Sequence, residues 1–162
     1  MERWASLTTL APGFSFRETM SGSYWRLSAP TDERALSFTI EARAANVRRF
    51  ARDRTWRITG TVDAEGLATH RPLEGTLQFK LLDERRLPYR FTFVGDDGAG
   101  YELSGQKEWS ALSPVDSMTL LPATLYDAGG KELARATLRF DWRSDIGRWM
   151  KSFRVHLFAR DT

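Results

Sequence analysis

The sequence predicts an all-β fold, an antiparallel meander of about nine or ten strands forming a barrel or a strongly curled sheet, with a short C-terminal amphipathic helix. Three observations predict it. Apolar and polar side chains alternate with a period of two along most of the chain, as they do in strands with one face on a core and the other in solvent. The connections are brief and rich in Gly and Asp, which tolerate the backbone angles of tight turns. Strands so linked are antiparallel, because a parallel crossover needs about a dozen residues or more. A sheet this wide curls or splits, which also removes exposed edges.

The elements follow in order. Residues 1–12 read as a loosely held arm. Phe14, Phe16 and Met20 share a phase, Tyr24 to Leu27 form a short aromatic strand, and Leu36, Phe38, Ile40, Ala42 and Ala44 make a longer run. Trp56, Ile58, Gly60 and Val62 come next, then Leu77, Phe79 and Leu81, and then Tyr89, Phe91 and Phe93. Tyr101, Leu103, Gly105 and Trp109 form another run, followed by Met118, Leu120 and Tyr126, and by Ala134, Ala136, Leu138, Phe140 and Trp142. Turn chemistry marks Asp63 to Gly66, Asp83 to Arg86, Asp96 to Gly100 and Asp127 to Gly130. Over residues 144–158, Ile146, Trp149, Met150, Phe153 and Leu157 have helical spacing behind a Ser144 or Asp145 cap. Phe153, Val155 and Leu157 also alternate, which leaves a strand open for the second half of that segment.

The chain has 162 residues, 41% hydrophobic and 28% charged, which fits one folded domain over 1–162 and not a disordered chain. No apolar run has the length of a membrane span and the first twenty residues lack a signal-peptide block, so no membrane span and a cytoplasmic location are expected. The absence of cysteine excludes disulfides, thiolate nucleophiles and Cys-ligated zinc. His70 and His156 have no metal-ligand spacing. No serine sits in a G-x-S-x-G elbow, Leu103 replaces the third glycine of a dinucleotide fingerprint begun at Gly98, and Gln106 stands where a phosphate loop needs lysine. No cofactor and no metal are expected, and catalysis is disfavoured.

Polar residues in the apolar phase carry the functional argument. Glu18 shares the phase of Phe14, Phe16 and Met20, and Lys107 that of Tyr101, Leu103, Gly105 and Trp109. A lone buried charge is costly, so an inward Glu or Lys needs a partner, water or a ligand. The ligand-binding set expected is Glu18, Arg26, Lys107, Tyr101, Trp109 and Phe91, with aromatic walls and Lys107 or Arg26 facing a carboxylate. The ligand is expected to be a hydrophobic small molecule such as a fatty acyl chain or sterol, since small closed barrels can enclose one. Two other readings stay open. Residues 43–57 carry six arginines against Asp53 alone, a basic face that, like the C-terminal helix, could dock a protein. A cofactor-free isomerase or cyclase would use Glu18 as its acid or base. The basic stretch lacks the aromatic pattern of an RNA-binding sheet and the domain is only mildly basic, so no nucleic acid is expected.

Phe14-Ser15-Phe16-Arg17-Glu18-Thr19-Met20-Ser21-Gly22 resembles the F-x-F-x-E-x-M-x-G opening of a β-rich accessory region found beside bacterial glucose-methanol-choline (GMC), cholesterol-oxidase-like oxidoreductases. Leu103-Ser104-Gly105-Gln106-Lys107, the stretch from Ser117 to Gly130, and Leu138-Arg139-Phe140-Asp141 look like its L-x-G-x-K, T-x-L and x-x-F-D elements. The resemblance covers about residues 14 to 143 and implies a stand-alone β-domain of lipid- or sterol-handling systems, partnered by such an oxidoreductase. It gives Glu18, Gly22, Gly105, Lys107 and Asp141 a shared role in ligand binding or in the fold, and it implies no catalytic residues.

Overall fold

A computed structural model describes residues 11–140, 151 and 154–158. The strands are β1 (Ala11–Arg26), β2 (Ala29–Ala44), β3 (Thr55–Ala64), β4 (Ala68–Gln78), β5 (Arg86–Val94), β6 (Gly100–Glu108), β7 (Leu120–Asp127), β8 (Glu132–Arg139) and β9 (Arg154–Phe158). Three short helices join them: α1 (Val47–Asp53), α2 (Leu81–Glu84) and α3 (Pro114–Thr119). Each strand from β1 to β8 pairs antiparallel with the next, and β1 also pairs with β8, so eight strands close a barrel. The ninth strand extends the N-terminal part of β1, from Ala11 opposite Phe158 to Ser15 opposite Arg154.

An up-and-down meander sends alternate connections to opposite ends, and the two ends of this barrel differ. The links β1–β2, β3–β4, β5–β6 and β7–β8 are tight hairpins, three of which hold a glycine at positive φ: Gly66, Gly98 and Gly130. The links β2–β3, β4–β5 and β6–β7 carry the three helices. Asn46 caps α1 by accepting from the backbone N–H groups of Arg48 and Arg49, and the helix stops at Arg54, whose φ of 48° is left-handed.

The period of two is visible in β5, where Leu87, Tyr89, Phe91 and Phe93 are buried and Arg90 and Thr92 are exposed. The inward faces merge into one core. Towards the hairpin end the lumen is filled by rings, with Phe38 5.0 Å from Phe91, Phe91 6.3 Å from Phe93, and Phe93 stacked 5.6 Å from Tyr101. Burying each such ring stabilises the fold by about 1.5–3 kcal/mol. The Tyr24 hydroxyl donates to the carbonyl of Glu65 at 2.6 Å and ties the core to the β3–β4 turn.

Several sequence expectations need correction. The two strands expected between Phe14 and Leu27 are one, because Ser21 to Ser23 stay paired to β2 on one edge and β8 on the other. Ala11 and Pro12 are not a loose arm but are paired opposite Phe158 and Leu157; residues 1–10 lie outside the described residues. Of the expected 144–158 helix, Lys151 is helical and 154–158 form β9; the remainder lies outside the described residues. Strand pairing to β1 overrides the helical spacing of that last stretch. The fourth strand starts at Ala68 and so takes in His70, Arg71 and Pro72, while Leu81 passes to α2 and Met118 to α3.

Candidate functional site

Two charges lie inside the barrel wall. Glu18 is 5% exposed and Lys107 is 4% exposed. Glu18 sits mid-strand in β1 opposite Ile40, and Lys107 near the end of β6 opposite Leu87. In the closed meander, β1 lies four strands from β5 and three from β6 whichever way the shorter path runs, so a contact between Glu18 and those strands crosses the lumen. Two such contacts exist. The Lys107 ammonium donates to Glu18 Oε1, and the Tyr89 hydroxyl of β5 donates to Glu18 Oε2 at 2.7 Å. Lys107 Nζ also stands 5.1 Å from the centre of the Tyr89 ring and 5.8 Å from that of Phe140.

The chemistry of this set follows from its partners. Burial, then the Glu18 charge and the hydrogen bond to it, push the Tyr89 phenol well above its ordinary value, so it is a donor at any physiological pH. Both Glu18 oxygens are occupied by donors. As a general base Glu18 would have to surrender a partner first, which weighs against the isomerase or cyclase reading. Among the described residues Lys107 makes one hydrogen bond, to Glu18, and an ammonium has three donors.

Above this floor, towards the helices, lies an aromatic cluster. Phe50 of α1 stacks on Trp56 at 4.7 Å, and Phe14, Phe16 and Phe79 present their edges to Trp56 at 5.9, 5.2 and 5.9 Å. Trp56 Nε1 is buried and lacks a hydrogen-bond partner among the described residues. An unpaired buried donor costs about 1–3 kcal/mol. A cleft of about 340 Å³ between α1 and α2, lined by Arg52, Arg54, Phe79 and Lys80, opens beside the cluster. A concavity of about 1120 Å³ lies on the outer wall over β3 to β7 and is lined by Thr59, Glu74, Arg90, Thr92, Glu102 and Tyr126.

No family model, curated protein or solved structure matches the chain.

The six residues expected to line a ligand do not form one site. Glu18 and Lys107 meet directly. Phe91 is buried in the filled hairpin half of the lumen. Tyr101 is half-buried at the hairpin end, where its hydroxyl donates to Asp97 at 2.5 Å. Arg26 is exposed at that same end, opposite Ala29 and Ala134 and far from Lys107 along the barrel axis. Trp109 does not continue the inward phase: β6 ends at Glu108, and the Trp109 ring is exposed on the helical rim with the Arg85 guanidinium 5.6 Å from its centre. Tyr89 and Trp56 belong to the site although the sequence singled out neither; each is a ring with a polar tip in the inward phase, the signal that identifies them.

Of the five residues that the resemblance groups together, two meet. Glu18 and Lys107 form the ion pair, and Gly22 and Gly105, further along β1 and two residues before Lys107 in β6, admit neighbouring strands. A Cβ on Gly22 would lie 2.0 Å from the carbonyl oxygen of Thr137, and one on Gly105 would lie 2.6 Å from that of Pro122. Those absences of side chain serve strand approach within the wall, as do Gly60 and Gly75 against the carbonyls of Thr39 and Arg90. Asp141 lies outside the described residues.

Proposed function

We propose that the barrel binds one hydrophobic small molecule at its helical end, with the molecule's polar tip on Lys107 and its apolar body among Phe16, Trp56, Phe79 and Phe140. The observation that carries this reading is the Glu18–Lys107–Tyr89 set strung across the lumen. Ionic groups in such a place contribute little net stability compared with apolar packing, whereas they provide a floor with donor capacity. Glu18 neutralises Lys107, so the set favours a neutral acceptor, an acyl carbonyl or a sterol hydroxyl, over a free carboxylate. Trp56 Nε1 offers a second donor on the same side. The filled hairpin half leaves the helical end as the place for the ligand, and the cleft between α1 and α2 is the approach. The resemblance to GMC-associated accessory regions supplies the same ligand class, and such an oxidoreductase is the partner it suggests.

The test is to purify the protein natively, extract it into organic solvent and identify what it carries by mass spectrometry. A stoichiometric acyl lipid or sterol is expected, and the same compound should raise Tm of stripped protein in proportion to RT ln(1 + [L]/Kd). Lys107→Met should weaken that binding. An empty extract with no Tm shift from a panel of lipids and sterols would sink the reading.

A further inference from the structure

The helical end differs from the hairpin end in charge as well as shape. Among the described residues, the connections through α1, α2 and α3 carry Arg48, Arg49, Arg52, Arg54, Lys80 and Arg85 against Asp53, Asp83, Glu84 and Asp116. The hairpin turns carry the reverse balance, Glu65, Asp96 and Asp97 against Lys131. The barrel is thus a dipole with its basic pole on the helices. Several of the bases there are engaged, Arg54 by Asp83, Arg49 by Asp53, and Lys80 and Arg86 by Glu84. Arg48 and Arg52 stand exposed one helical turn apart on α1, with no ion pair described for either.

The same pole holds the most exposed apolar side chains of the described residues. Leu112, in the link between β6 and α3, is 97% exposed and Leu82 of α2 is 73% exposed. Trp109, with Arg85 over its ring, lies between them in the connectivity of that rim. Neither leucine packs on the core, so each costs its hydration without return while the protein is free in water. Apolar tips with an indole among arginines match an anionic bilayer surface, where the tips enter the acyl boundary, the indole sits at headgroup level and the guanidinium groups meet phosphates.

We infer that the helical end docks on anionic lipid membranes, with Leu82, Leu112 and Trp109 inserted and Arg48 and Arg52 on the headgroups. A nucleic acid would be served by the arginines but has no use for two leucines held out in water; single apolar tips on separate links suit insertion between lipids, and an acidic protein partner is the outcome if no vesicle binds. The inference stands on the surface alone and does not require a ligand in the barrel.

The experiment is co-sedimentation of the full chain with phosphatidylcholine vesicles and with vesicles containing about 30% phosphatidylserine. Binding to the mixed vesicles is expected at low salt, weakened at least tenfold by 0.5 M NaCl and absent with phosphatidylcholine alone. Arg48→Glu/Arg52→Glu should lower the affinity about tenfold or more, and Leu82→Ser/Leu112→Ser should do the same while leaving binding to heparin unchanged. Circular dichroism and Tm, read on each variant, establish that all are folded. Equal binding to both vesicle types, no binding to either, or leucine variants that bind like the parent overturns the inference; retention by heparin without any vesicle binding overturns it in favour of a polyanion.

Discussion

At the hairpin end the strands are turned by Gly66, Gly98 and Gly130, the lumen is filled by Phe38, Phe91 and Phe93, and the polar groups are spent on the turns themselves. Asp96 shows this, accepting from Thr69 through both backbone and hydroxyl and from Arg71. At the helical end the links are longer, two charges and a phenol meet inside the wall, an indole N–H has no partner among the described residues, and leucines point into water. One end is finished as a fold alone would require. The other carries buried ionic groups that add little to a fold, and that difference is the ground on which we propose the ligand there.

The contrast can be broken most severely at the ion pair. Lys107→Met leaves the Glu18 carboxylate buried with Tyr89 alone and should cost about 3–5 kcal/mol in urea unfolding, as loss of one partner of a buried pair does. Phe91→Ala in the filled half should cost a similar amount, about 3–5 kcal/mol, through its cavity. The two sites part company in the double variant Glu18→Leu/Lys107→Met, expected to regain most of the loss and to approach the parent. No companion substitution should rescue Phe91→Ala so simply. A double variant as unstable as Lys107→Met would mean that the pair is structural, and the contrast between the ends would fail.

Smaller effects sharpen the comparison. Tyr24→Phe removes the hydroxyl that donates to Glu65 and should cost about 1 kcal/mol in the same assay. Asp96 is held at about 2, below its ordinary 3.8, chiefly by the Thr69 hydroxyl and then by Arg71. Its folded value is depressed, so its contribution is present above the ordinary value and fades as pH falls from about 4 to 2. Tm of Asp96→Asn should therefore lie below the parent at pH 5 and converge on it at pH 2; curves that stay parallel would refute the assignment. Smallest of all, Leu82→Ser/Leu112→Ser should leave stability within about 0.5 kcal/mol of the parent, since neither side chain is packed.

Much of the wall was legible in the sequence because its signal is local. Leu36 to Ala44 and Tyr89 to Phe93 alternate cleanly, and the glycine- and aspartate-bearing turns lie where the chain reverses. The inward phase of Glu18 and Lys107 was legible too, as was their need of a partner. That they are each other's partner was not, since the pairing depends on barrel closure bringing β1 opposite β5 and β6. Trp109 misled for a local reason: periodicity says nothing of where a strand ends, and β6 ends one residue before it. Over 154–158 two periods fit the same residues, and pairing to β1 decided between them.

The strand that begins the barrel also finishes it, and this bears on how the protein is made. Every β1–β8 pair joins residues more than 100 positions apart, from Ser21 with Arg139 to Arg26 with Ala134. On a growing chain the first strand leaves the ribosome early and can hold only β2 by a local turn, while its second edge waits for almost the whole domain to be synthesised. Distant pairings of this sort form slowly, and a waiting edge is a template for a neighbouring chain. Closure of the seam between Ser21 and Arg26 is therefore the late step of folding, and the interval before it is when nascent molecules are open to aggregation.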